Sequence, residues 1–150
     1  EREFHHFAQE LMYAYRNQFQ ESDLELIEYL ITHQSWWDTV DFVAPKLVGP
    51  YFLKYPHQRD PTIKNWLSSN HIWLQRSSVL FQLKYKKDFD ATFLTYVIQA
   101  LTGSKEFFIN KAIGWALREY GKQNPAWVLE FVSKNPNLSS LSRKEALRRL

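Results

Sequence analysis

Cysteine is absent from the chain, which excludes disulfides and thiolate metal sites and fits a reducing cytoplasm. Glycine is scarce, with 4 residues, and the 6 prolines fall between periodic segments, so helices are favoured throughout. No apolar run approaches the roughly 18 residues that a membrane span needs, and nothing resembles a signal peptide. The five histidines, His5, His6, His33, His57 and His71, show neither HExxH nor any other paired-ligand spacing. They read as surface, cap or packing residues, and no metal site is expected. A Gly-rich phosphate loop and a GxSxG elbow are also missing. What is present is a chain of 150 residues, 45% hydrophobic and 17% aromatic, enough to bury the core of one domain. It opens on Glu1, and its last helical-looking segment, "SRKEALRRL", runs to Leu150. Both ends are therefore expected to be cut from a longer chain.

Formal net charge is only +3, but its distribution is uneven. Residues 1–75 carry 6 Lys/Arg against 10 Asp/Glu, a balance of −4, and residues 76–150 carry 13 against 6, a balance of +7. A basic half on a helical protein points to a polyanionic partner, nucleic acid first. The plain alternative is a solvated charged surface.

Apolar residues recur at helical spacing in "FHHFAQELMYAY", "LELIEYLI", "WWDTVDFVAPKL", "TIKNWLSS", "IWLQRSSVLFQLKY", "ATFLTYVIQAL", "FFINKAIGWALREY" and "PAWVLEFVSK". Ser22 is the expected N-cap before "DLELIEYLI", and Asp60-Pro61 and Asn124-Pro125 each mark a helix start. "LVGPYF" and "LTGSKE" read as stops. No stretch alternates well enough for a strand. The aromatic openings at Trp36, Trp73 and Phe108 lie 37 and 35 residues apart, and a shorter helix precedes each. "EFHHFAQELM" falls about one period earlier. A two-helix repeat of this length implies an all-α fold, an α-solenoid of HEAT-like pairs with a concave face lined by the second helices.

Those second helices carry unusual residues. Trp37 and Asp41 stand at i and i+4 on one, Arg76 lies on the next, and Lys111, Trp115 and Arg118 stand at i, i+4 and i+7 on the third. If these faces turn inward, a groove gathers a carboxylate, two indoles and several cations. Cleaving the bond between a sugar and a cationic N-alkylated purine needs no proton on the leaving group, because the base departs neutral. Positive charge then develops on the sugar, where one carboxylate stabilises it and orients water. Indole faces attract the cationic nucleotide, and Arg76, Lys111 and Arg118 hold flanking phosphates. Each residue also has an ordinary reading. Tryptophans at helical spacing pack cores, Asp41 caps a helix or pairs with a lysine, and Arg76 forms a structural ion pair. Trp66, Trp73 and Trp127 are assigned to packing, and Asp38 points away from Asp41.

The segments "SWWDTVDFVAP", "IWLQRSSVLFQLKYK", "KEFFINKAIGWALREYGK" and "LSRKEALRRL" resemble the AlkD-like, HEAT-repeat family of DNA alkylation-repair glycosylases, in order and in spacing, over essentially the whole chain. The resemblance implies excision of positively charged N3- and N7-alkylpurines from duplex DNA, without metal or organic cofactor. It also implies that the lesion stays stacked rather than entering a base pocket. The family's catalytic aspartate falls on Asp41, its cleft tryptophans on Trp37 and Trp115, and its cleft arginine on Arg76. Further helices precede "EREFHH" in the family, so residues 1–150 are expected to be one repeat domain lacking them. A cytoplasmic, bacterial monomer bound to double-stranded DNA is the expected setting. A non-catalytic DNA-structure binder and a protein-scaffold solenoid are the competing functions.

Overall fold

The computed structural model describes residues 2–33 and 35–150, and among them the backbone is helical, without strands. The helices are α1 (Arg2–Ala14), α2 (Leu24–Thr32), α3 (Trp37–Val43), α4 (Gly49–Lys54), α5 (Arg59–Ser68), α6 (Ile72–Leu80), α7 (Ala91–Leu101), α8 (Phe107–Gly121), α9 (Pro125–Lys134) and α10 (Ser140–Ala146). None of them is long and apolar enough to cross a membrane.

One row of neighbours runs α1, α3, α6, α8, α10. Behind it α2 packs on α3, α5 on α6, α7 on α5 and α6, and α9 on α8 and α10. The all-α stack of helical pairs expected from the periodicity is therefore the observed architecture. Its long-range hydrogen bonds carry the same period. Tyr55 donates to the Phe19 carbonyl and Tyr85 to the Gly49 carbonyl, each across 36 residues, and Arg76 reaches Asp41 across 35. Each repeat is thus tied to the next by polar contacts as well as by its apolar stripe. The core between the rows includes Ile31, Leu47, Ile63, Leu80, Ile98, Ile113 and Leu117, all essentially dry. Trp66 is 1% exposed, and its indole N–H donates to Glu28 Oε2 at 2.7 Å, so burial leaves no orphaned donor. Trp73 packs against Phe108 and Trp127 stacks on Phe131, as their assignment to packing requires.

Local signals hold in part. Asn124 caps α9, its side chain accepting the Trp127 N–H at 3.1 Å. Gly103, at φ +92°, follows the end of α7, a conformation that few side chains tolerate. Ser22 is not the cap of α2. The Asp23 carboxylate instead takes the Gln20 N–H at 2.8 Å and closes a 3₁₀ turn ahead of the helix. Asp60 and Pro61 lie inside the first turn of α5, where a missing N–H costs nothing.

"LVGPYF" does not stop a helix. The chain stays helical from Trp37 to Lys54 by widening to a π turn over Ala44–Val48, in which the Gly49 N–H reaches back to the Ala44 carbonyl. Pro45 supplies no N–H for the Asp41 carbonyl, and the wider register absorbs that loss. Gly49 is required where it stands, because a Cβ there would lie 2.8 Å from the Phe81 carbonyl oxygen.

Candidate active site

α3 begins at Trp37 because Trp36 is extended, with φ −122° and ψ 170°. From there, Trp37 and Asp41 project from one face toward α6 and α8. Asp38, three residues before Asp41, turns to the other flank and pairs with Arg2 of α1. On α8, Ile109, Ala112, Ile113, Ala116 and Leu117 are buried in the core, which leaves Lys111, Trp115 and Arg118 for the opposite face. The result is a cleft of about 300 Å³ lined by Trp37, Asp41, Arg76, Phe107, Phe108, Lys111, Trp115, Arg118 and Glu145. All six residues singled out in the sequence line this one cleft.

Asp41 forms its inner wall. Arg76 Nε donates to Asp41 Oδ1 at 2.9 Å and Nη2 to Oδ2 at 3.2 Å, a two-pronged ion pair between α3 and α6. Arg76 Nη1 donates to the Phe108 carbonyl, so one guanidinium joins three helices. The Asp41 side chain is 19% exposed and that of Arg76 only 4%. A carboxylate has about four lone-pair sites, of which Arg76 takes two, leaving acceptor capacity toward the cleft. Burial pushes the Asp41 carboxyl above its usual range, and the nearby Asp38 adds to this. The Arg76 charge and its hydrogen bond pull the other way.

Arg76 is buried, and three of its five N–H groups are engaged by Asp41 and Phe108, so the guanidinium holds the acid in place. Lys111 and Arg118 both reach Glu145 of α10, Lys111 at Oε1 and Arg118 Nη1 at 2.8 Å from Oε2. Trp37 is half exposed, whereas Trp115 packs partly against the core. Two indoles, an ionisable carboxylate and a cationic flank thus share one concavity.

The profile of the DNA alkylation repair enzyme family matches residues 1–150. The chain belongs to that family. A solved structure described as a predicted DNA alkylation repair enzyme from Enterococcus faecalis is similar at 30% identity, with a TM-score of 0.89. The similarity covers 100% of this chain and 70% of the other. No curated protein matched the sequence.

Within this alkylation-repair fold, sequence reasoning missed three cleft-lining residues, Phe107, Phe108 and Glu145, of which Phe108 was read only as the opening of a repeat. Phe107 opens α8 and is 56% exposed at the cleft mouth, and Glu145 faces the cleft from α10 while only 7% exposed. A signal existed for Glu145, the lone acid in "SRKEALRRL". Among the described residues, no group of three or more His, Cys, Asp or Glu side chains is arranged to hold a metal ion.

Proposed function

We propose that this family member is a DNA glycosylase that releases N3- and N7-alkylated purines from duplex DNA. The observation that carries the reading is the Asp41 carboxylate, ion-paired with Arg76 and set in a cleft with Trp37 and Trp115. An alkylated purine is already cationic. When its glycosidic bond breaks, the bonding pair leaves with the base, which departs neutral, and the deoxyribose C1′ becomes cationic. Asp41 stabilises that charge and orients a water, which adds to C1′ and loses a proton to solvent. Arg76 keeps Asp41 ionised where burial opposes ionisation. Trp37 and Trp115 offer π faces to the cationic nucleotide, worth about 0.5–2 kcal/mol each. Lys111 and Arg118 meet the flanking phosphates. The protein acts as a monomer on DNA in the bacterial cytoplasm.

The test is release of free 7-methylguanine from methylated duplex DNA, followed by chromatography. The proposal expects time-dependent base release and abasic sites. A second reading, DNA binding without chemistry, draws on the engagement of both Asp41 oxygens by Arg76. It expects salt-sensitive duplex binding with no base released, a result that would overturn the glycosylase assignment.

A further inference from the structure

We infer that Glu145 is the positioning residue of the cationic side of the cleft: it fixes Lys111 and Arg118 on either side of Trp115 before DNA arrives, and cancels one positive charge there. This rests on the DNA-processing reading of the cleft.

Glu145 belongs to α10, whereas the two cations belong to α8. Oε1 accepts from Lys111, Oε2 accepts from Arg118 Nη1 at 2.8 Å, and Arg148 Nη1 lies 3.6 Å from Oε2. The side chain of Glu145 is 9% exposed, against 41% for Lys111 and 25% for Arg118. The carboxylate therefore lies beneath the cations, which keep part of their surface open to the cleft. Glu145 takes one donor from each, and an ammonium has three and a guanidinium five, so both retain donors for a phosphate.

The backbone is built for this contact. A Cβ on Gly114 would lie 2.5 Å from Glu145 Cβ and 3.1 Å from the Ser142 carbonyl oxygen, so only glycine admits α10 this close. Ser142 Oγ, fully buried, donates to the Asn110 carbonyl at 2.8 Å and fixes the register of the two helices. Lys111, Trp115 and Arg118 follow i, i+4 and i+7 spacing, so anchoring both cations also frames the indole. The Lys111 hydrogen bond holds the Glu145 carboxyl below its usual range, which keeps it charged at neutral pH. Side-chain freedom that would otherwise be lost on binding is already lost in the free protein.

The experiment measures duplex affinity across roughly 50–200 mM salt, with single-turnover base release at saturating protein. Glu145→Gln removes the competing charge, so the slope of log K against log salt should steepen by about 0.9. With Lys111 and Arg118 no longer held, release should fall about tenfold to a hundredfold without weaker binding. Glu145→Asp keeps the charge but draws it back by one methylene. It should keep the wild-type slope and still lose release, and it carries the test if Glu145→Gln does not fold. Unchanged slope and release in Glu145→Gln would overturn the inference, as would a joint loss of affinity and release with a shallower slope. Should the wild type bind duplex yet release no base, the glycosylase reading fails while the slope comparison still decides the role of Glu145. Failure of wild type and variant alike to bind duplex would remove both.

Discussion

The Asp41–Arg76 pair sets how the cleft responds to pH. Burial raises the Asp41 carboxyl, so its native pKa lies above its unfolded one, and the native state binds the proton more tightly. Stability contributed at this position therefore falls as pH rises from the ordinary aspartate range through the raised value. The proposed glycosylase activity has the opposite demand, because in that reaction only the carboxylate would stabilise a cationic sugar. The acid limb of the pH–rate profile is expected above the usual aspartate range. Arg76→Met removes the charge that pulls Asp41 down, so it should move that limb to higher pH. It should also destabilise the fold by about 3 kcal/mol at neutral pH, the low end for a broken buried pair, since Asp41 keeps some contact with water. That loss should shrink in acid, where a protonated Asp41 no longer needs the cation. Urea denaturation at several pH values checks it, and a pH-independent difference would count against the pairing. Glu145 has the reverse sign: its lowered carboxyl contributes stability that is complete above the ordinary glutamate range and is lost as pH falls through the native value.

At the scale of the helices, legibility depended on whether the signal was local. Asn124-Pro125 was readable because a cap needs only its own first turn. The i, i+4 and i+7 spacings were readable because a helix fixes them internally. The run from Trp37 to Lys54 was not, since Gly49 and Pro50 resemble a stop until Tyr85 and Phe81 arrive from the next repeat to pack at Gly49. The partner of Arg76 was equally hidden, because spacing along one helix does not say which side chain a neighbouring helix presents. Two substitutions test this account. Asn124→Ala should cost about 1 kcal/mol, the value of one N-cap. Gly114→Ala should cost about 1–3 kcal/mol by forcing α10 off α8. Gly114→Ala should also loosen Lys111 and Arg118, seen as faster proteolysis near Glu145. A neutral Gly114→Ala would mean that the two helices are not held in contact at that point.

Across the whole molecule, the repeat was the most legible feature, because a period of about 35 residues is a property of the string itself. The same period returns as hydrogen bonds linking residues one repeat apart, including Lys111 to Glu145 across 34. The charge asymmetry was legible too, and it has a destination: the basic half supplies Arg76, Lys111, Arg118 and Arg148 around the cleft, offset by Asp41 and Glu145. Duplex binding should therefore weaken with salt, and Lys111→Gln should reduce the salt slope by about 0.9, the share of one phosphate contact. A slope unchanged by that substitution would place the strand elsewhere on the molecule.

The most direct measurement compares wild type with Asp41→Asn in single-turnover release of 7-methylguanine, with duplex affinity measured on the same preparations. Asparagine keeps the shape and an acceptor for Arg76 but removes the charge. Release should fall by about 10²–10³ while affinity is retained, as expected when an interaction made only with the developing sugar cation is lost. Equal release by the two proteins would contradict the account, because the cleft would then work without the one group placed to stabilise that cation.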